Sequence, residues 1–404
     1  MDRIYLDYAA TAPVLPEVLD AMLPFFVARY GNPSGIHGTG RDTHKAVENA
    51  RRQVAAVLGA ESREICFTSG GSESDNLAIQ GTAFALRGKG THLITSSIEH
   101  PAVLNSFRWL EKQGFRVTYL PVDAEGRVDP DAVRSAIGGG TTLVSVMTAN
   151  NEIGTVQPVA AIGEICREKG VLFHTDAVQA VGLLPLNVQE MNADLVSISA
   201  HKFHGPKGTG ALYIRKGTRL EPLIHGGSQE RGMRAGTENV PGIAGMGLAI
   251  EIAEREREEN AERIRGLRDL LRDMVLERTG DARVNGSWEH RLPNNCHFSF
   301  PGVESEALLL RLDLAGIAAS GGSACTSGSM EPSHVLKALG LNDEQTAGSI
   351  RLTLGRETTR KEIEETGRVL PEIVRDLRAL RGLQTAASPC CQSLPGGKTL
   401  YPDT

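Results

Sequence analysis

Residues 199–208 read Ser199-Ala200-His201-Lys202-Phe203-His204-Gly205-Pro206-Lys207-Gly208. The run Ala193-Asp194-Leu195-Val196-Ser197-Ile198 before them predicts a short buried strand, and Gly210-Ala211-Leu212-Tyr213-Ile214 after them predicts another. Lys202 therefore falls in a turn at the carboxyl end of a strand, flanked by two histidines and a hydroxyl. A lysine that is desolvated and held beside other cations has a lowered pKa, and its amine becomes a Schiff-base nucleophile. His201 and His204 are spaced like metal ligands, but no third ligand is evident, so no metal site is expected.

The same arrangement recurs upstream. Thr142-Leu143-Val144-Ser145-Val146-Met147 predicts a strand whose end carries Ala149-Asn150-Asn151-Glu152. A helix over 159–169 follows, then a strand over 170–176 that ends in Asp176 and runs on through Ala177-Val178-Gln179. Residues 92–97 predict a strand ending in Ile98-Glu99-His100-Pro101, and Pro101 suits a first helical position, which puts His100 at the strand–helix junction. His100, Asn151, Asp176, Gln179 and Lys202 all follow the carboxyl ends of strands, the edge at which open α/β sheets bind ligands. One Asp after a strand carries little. Five such groups on one edge, at a βα repeat, point to a site.

Three further stretches carry chemistry. In Glu64-Ile65-Cys66-Phe67-Thr68-Ser69-Gly70-Gly71-Ser72-Glu73 an apolar strand runs into two glycines and a helix start. Backbone amides there can approach a phosphate, and the helix terminus adds unpaired N–H groups and a positive dipole end. No Lys-Ser/Thr pair follows, so this is not a P-loop. In Ser320-Gly321-Gly322-Ser323-Ala324-Cys325-Thr326-Ser327-Gly328 a cysteine has little apolar cover, unlike inert buried cysteines, and is free to act as a nucleophile. Arg351, in the strand-like Ser349-Ile350-Arg351-Leu352-Thr353, can clamp a carboxylate bidentately.

Composition narrows the class. At 404 residues the chain is long enough for two or three ordinary domains, or for one large α/β core with a smaller partner. A net charge of −6 leaves no basic footprint, so no nucleic-acid partner is expected. No apolar run approaches the roughly 18 residues of a membrane span, and Met1-Asp2-Arg3-Ile4-Tyr5 begins no signal peptide. The six cysteines (66, 166, 296, 325, 390, 391) lack CxxC spacing, which argues against a disulfide framework or structural zinc and for a reducing cytoplasm.

Together these motifs resemble the class V aminotransferases, and within them the pyridoxal 5'-phosphate (PLP) dependent cysteine desulfurases of the NifS/IscS type, on the NifS-like side. The resemblance covers residues 2–380 in consistent motif order. It implies a PLP-transferase fold of type I, like aspartate aminotransferase, with a mostly parallel seven-stranded sheet in a large domain and a smaller α/β domain. The expected division is a large domain over 14–256, a small one from 1–13 and 257–382 that carries the cysteine loop, and a flexible tail over 383–404. One long connector helix is expected over 241–277, and further helices over 16–30, 44–58 and 358–380.

The resemblance also assigns roles. Lys202 holds the cofactor. Gly71, Ser72, Ser199 and His201 match the family's phosphate contacts, and His100 matches the histidine stacked on the pyridine ring. Asp176 fits the carboxylate that keeps the ring nitrogen protonated. Gln179 and Asn151 fit the phenolate oxygen, Asn151 also reaching the substrate. Thr237, in the Gly-rich stretch 226–239, would contact the cofactor phosphate of a second subunit, which implies a homodimer. Arg351 binds the carboxylate of L-cysteine, and Asn32 and His37 lie near the substrate entrance. Cys325 takes the sulfur as a persulfide, L-alanine leaves, and the sulfur passes to an iron–sulfur scaffold or another acceptor protein, where a nascent cluster contacts Cys325 in passing. A selenocysteine lyase and a PLP aminotransferase share the scaffold. The tail holds Cys390 and Cys391 side by side, with no family counterpart.

Overall fold

The alternation of apolar strands and helices between residues 65 and 214 folds into one sheet. In the computed structural model, which describes residues 3–321 and 333–386, twelve strands are formed among the described residues. They are β1 (Ile4–Tyr5), β2 (Ile65–Thr68), β3 (His92–Ser96), β4 (Arg116–Leu120), β5 (Thr141–Ser145), β6 (Leu172–Asp176) and β7 (Leu195–Ser199). The rest are β8 (Gly210–Ile214), β9 (Arg283–Val284), β10 (Asn295–Ser299), β11 (Ile317–Ala318) and β12 (Ser349–Thr353). Seven of them pair in the order β2-β8-β7-β6-β5-β3-β4. Only β8 runs against its neighbours. This is the mostly parallel seven-stranded sheet expected.

Both faces of this sheet are covered, as parallel strands require. Successive residues enter opposite cores. Ile94, Val144 and Val196 pack with Val54 and Leu58 of the helix Gly38–Leu58 and with Met246 and Ile250 of the helix Val240–Arg255. Their neighbours Leu93, Leu143 and Leu195 pack on the other face with Phe107 and Leu110 of the helix Pro101–Lys112. Each such side chain contributes about 1.5–3 kcal/mol by leaving water.

A second core is separate. Phe298, Ile350 and Leu352 of the antiparallel sheet β12-β10-β9 pack with Leu271 and Val275 of the helix Arg257–Thr279, and with Ile363 and Leu370 of the helix Arg360–Ala386. The first residues of the chain join this unit. Ile4 and Tyr5 pair in parallel with Ile317 and Ala318, and Leu6 enters the same core.

Several helix bounds differ from those expected. The 16–30 stretch is two helices, Pro16–Met22 and Pro24–Val27, because Pro24 has no N–H to continue the first. The helix expected over 44–58 begins at Gly38, with the His37 side chain as its cap. The stretch expected as one helix over 241–277 is two, Val240–Arg255 and Arg257–Thr279. The break falls at Glu256 (φ −98, ψ −1), whose carboxylate is fixed by Arg356 at 2.9 and 3.2 Å. No Gly or Pro marks that break in the sequence.

Candidate active site

The lysine turn is built by local bonds. After β7, Ala200–Lys202 forms one 3-10 turn, and the Gly205 amide donates to the Ala200 carbonyl at 2.9 Å. A Cβ at Gly205 would lie 2.8 Å from the Ala200 Cβ, so the turn closes only over a glycine. Lys202 Nζ is thereby delivered to the opening segment of the chain, donating to the carbonyls of Ala9 at 2.6 Å and Ala10 at 2.8 Å. Gln179 Nε2 also donates to Ala9 O, at 3.0 Å, and His201 Nδ1 lies 3.1 Å from Thr11 Oγ1.

A cavity of about 360 Å³ opens at the carboxyl edge of the parallel strands. Gly71, Ser72, His100, Asn151, Asp176, Gln179, Ser199, His201, Lys202 and Arg351 all line it. Asn32 and His37 do not. Both are exposed; Asn32 accepts from the Ser34 amide and His37 caps the helix Gly38–Leu58. Thr237 is exposed in its loop, away from the cavity of its own chain. Cys325, Cys390 and Cys391 lie outside the described residues.

Local structure explains several placements. Asn150, fully buried, accepts from the amides of Glu152 and Ile153 and donates to Ile98 O, which locks the turn that presents Asn151. His100 caps its helix by accepting at Nδ1 from the Ala102 amide at 3.1 Å, so the neutral ring carries its proton on Nε2. Burial, Lys202 and His334 push its pKa down to about 4, leaving it neutral near pH 7. His201 is pushed down to about 4 by burial and by Lys202 and Lys207.

Asp176 is buried, and one of its oxygens accepts from the Val178 amide at 2.9 Å. Burial holds its carboxyl above the ordinary range, while that bond and Lys202 draw it back. Asp75 is buried beside it and is held up far more, by burial and then by the Asp176 charge. Two carboxylates this close do not both ionise, and Asp176, with the cation, is the one that does.

Sequence reading missed four contributors. Asp7 pairs with Arg351 Nη2 at 2.7 Å, while Arg351 Nη1 donates to Asn151 O at 2.9 Å. Asp75, Glu152 and His334 line the cavity. Glu152 is buried, takes a hydrogen bond from Ser333, and is pushed up to about 7 chiefly by burial. Glu152 adjoins Asn151 and could have been flagged; Asp7 lies 344 residues from its partner and carried no signal beyond an acid after a strand.

A family model described as aminotransferase class-V matches residues 4–366. The chain belongs to the class-V aminotransferase family. It is 55% identical over 378 residues to the "Cysteine desulfurase IscS" of Dictyoglomus turgidum, covering 94% of this chain and 96% of that protein. A solved structure described as a "NIFS-LIKE PROTEIN" superposes with a TM-score of 0.87 at 40% identity, over 93% of this chain and all of that one (100%). Another, "SspA in complex with cysteine", does so with a TM-score of 0.75 at 38% identity, over 87% and 98% of the two chains.

Class-V aminotransferases use pyridoxal phosphate, and the residues present fit it. The helix Gly71–Asn76, which runs on through one π-turn to Ala85, opens at the cavity without a side-chain cap, beside Ser72, Ser199 and His201. Its N-cap Gly70 has φ 153, and a Cβ at Gly71 would sit 2.8 Å from Val178 Cγ2. Backbone alone approaches there, as an anion cradle needs. A buried carboxylate for a ring nitrogen and an amine for an aldehyde complete the donor set. No helix among the described residues is long and apolar enough to cross a membrane.

Proposed function

We propose that the chain is a cysteine desulfurase, a PLP-dependent sulfurtransferase that converts L-cysteine to L-alanine and keeps the sulfur as a persulfide on Cys325. The observation that carries this reading is the convergence of an amine, a buried carboxylate, a neutral imidazole and a buried guanidinium on one cavity (Lys202, Asp176, His100 and Arg351). The 55% identity to a protein named cysteine desulfurase supports the same reaction.

Bound in this cavity, pyridoxal phosphate supplies an electron sink for the pair left at the substrate Cα. Asp176 is suited to hold the ring nitrogen protonated, and Gln179 and Asn151 to bond the phenolate oxygen. Gly71, Ser72, Ser199 and His201 offer donors for the phosphate. Arg351 takes the substrate carboxylate, and Lys202 removes the Cα proton. His100 assists protonation through its Nε2–H. The Cys325 thiolate attacks the substrate sulfur. The S–S bond forms, the substrate Cβ–S bond breaks with its electron pair left on Cβ, and protonation at Cβ followed by return of a proton to Cα from Lys202 gives L-alanine. No external oxidant is needed.

We extend the reading to assembly. A homodimer in which Thr237 of one subunit reaches the cofactor phosphate of the other is supported by an exposed apolar run: Leu19, Leu23, Phe26, Val27, Tyr30 and Ile36. Asn32 and His37, exposed in that same stretch, are assigned to the approach to the site. The two separate cores support a large domain over 14–256 and a small one from 1–13 and 257–382. An iron–sulfur scaffold or other acceptor protein, in the cytoplasm, would take the persulfide sulfur.

The test pairs the visible absorbance of the purified protein with sulfide and alanine release from L-cysteine under reductant. Equal amounts of both products, lost in Cys325→Ser, are expected. Turnover that survives Cys325→Ser and requires a 2-oxo acid would replace this reading with an aminotransferase. A rate on selenocysteine far above that on cysteine would replace it with a selenocysteine lyase.

A further inference from the structure

The guanidinium of Arg351 already has a carboxylate. Its side chain is 3% exposed, its Nη2 donates to Asp7 Oδ1 at 2.7 Å, and its Nη1 donates to Asn151 O. Its Nε is buried without a hydrogen-bond partner among the described residues. Arg351 lines the cavity and Asp7 is not among its lining residues, so the guanidinium links the ligand space to a carboxylate outside the lining. A buried guanidinium without a counter-charge is costly, and Asp7 is the carboxylate that supplies one when the cavity holds no amino acid.

Asp7 does not depend on that ion pair for its place. Its residue bridges to Thr353, two positions beyond Arg351 on β12. Tyr8 N donates to Thr353 O, Thr353 N donates to Leu6 O, and Ala9 N donates to Thr353 Oγ1. The backbone at position 7 is therefore held without the ion pair, and an uncharged isostere would start from the same place in the chain.

We propose that Asp7 is a positioning residue that sets the affinity of Arg351 for the substrate α-carboxylate. This rests on the desulfurase reading and deepens it. When an amino acid binds, the guanidinium serves two carboxylates, and the Asp7 charge weakens the hold on the second. L-cysteine and L-alanine carry the same carboxylate, so Asp7 loosens the product as much as the substrate and favours its release. A group that acts on the carboxylate alone leaves an amine without one unaffected.

The test is calorimetric titration of the PLP-loaded enzyme with L-alanine and with ethylamine, beside steady-state kinetics on L-cysteine. Asp7→Asn keeps the acceptor oxygen and removes the charge. It is expected to tighten L-alanine and lower KM for L-cysteine by ~3–10-fold, with kcat unchanged or reduced and ethylamine binding unmoved. Asp7→Ala, which also loses the acceptor, is expected to bind L-alanine more weakly than Asp7→Asn. Asp7→Ser carries the Asp7→Asn expectation if that variant folds poorly. L-alanine binding in Asp7→Asn equal to or weaker than wild type, or an equal shift for ethylamine, overturns the proposal alone. A wild type that binds neither L-cysteine nor L-alanine overturns the desulfurase reading and this proposal with it.

Discussion

Lys202 and Ala9, 193 residues apart, are joined by a 2.6 Å hydrogen bond from the lysine Nζ to the backbone carbonyl oxygen. Through Ala9 and Ala10 on one side and Asp7 on the other, the opening segment of the chain holds both cations of the site, Lys202 and Arg351. Lys202 and Arg351 are thus both placed by one short strap.

Lys202→Ala removes the only amine that lines the cavity among the described residues. Sulfide release from L-cysteine is expected to fall by ~10³-fold or more, since general acid–base and covalent roles are lost together. The absorbance of the lysine-held cofactor is expected to disappear with it. Single-turnover assays check the first and visible spectroscopy the second; near-normal turnover would remove Lys202 from the mechanism.

Arg351→Lys keeps the charge and loses the planar fork. A lysine has only three N–H donors and no planar fork, so with Asp7 and the Asn151 carbonyl in place it cannot grip a substrate carboxylate bidentately. KM for L-cysteine is expected to rise by ~10–100-fold, with a smaller loss in kcat. Steady-state kinetics decide it, and an unchanged KM would assign the carboxylate to another group.

How far the sequence led follows from distance along the chain. Asp176 and Lys202 were legible because one ends a strand of a mostly parallel sheet and the other lies in the turn just after one, and such strands show as apolar runs with polar groups at one end. The strap was not, because its contacts with the site span 170 residues or more and are made largely by the backbone of Ala9 and Ala10, which no side-chain pattern encodes. Glu256 escaped for a different reason. Its helix break falls at a residue paired with Arg356, 100 residues away, in a stretch whose local propensity favours continuation.

Glu99 offers a test of pH dependence. It is fully buried, one oxygen accepts from the Met147 amide at 3.0 Å and from Ser96 Oγ, and the other has no partner among the described residues. Burial, then the Asp176 charge, pushes its pKa up to about 8, against the pull of those two bonds. Its folded pKa is above its unfolded one, so the folded chain binds the extra proton. Stability is then lost as pH rises from ~4.5 toward 8 and is flat beyond. Glu99→Gln keeps an acceptor and cannot ionise. The fall in unfolding free energy between pH 6 and pH 9 is expected to be smaller in the variant by on the order of 2 kcal/mol. Urea denaturation at both pH values measures it, and equal losses in the two proteins would show that Glu99 is ionised in the fold.

The buried pair of Arg51 and Glu230 anchors the loop that carries Thr237. Arg51 donates to both Glu230 oxygens, at 2.7 and 2.8 Å, with the two side chains 4% and 2% exposed. The Phe67 amide donates to Glu230 Oε2 at 2.9 Å, and the Arg51 guanidinium lies 4.7 Å from the Phe67 ring centre. Glu230 itself sits at φ 46, a left-handed conformation that a non-glycine residue keeps only when its surroundings fix it. Glu230→Ala leaves Arg51 buried without its counter-charge and is expected to cost ~3–5 kcal/mol in urea denaturation. Replacing both residues with apolar ones of similar volume is expected to cost less than that single change, because no charge is then stranded. If the loop 226–239 also reaches a second subunit, Glu230→Ala is expected to weaken cofactor retention at stabilities where the fold persists. Sedimentation and the visible absorbance read the two effects separately, and a single mutant less damaging than the double would mean that Glu48, 2.9 Å from Arg51 Nε, already neutralises the guanidinium.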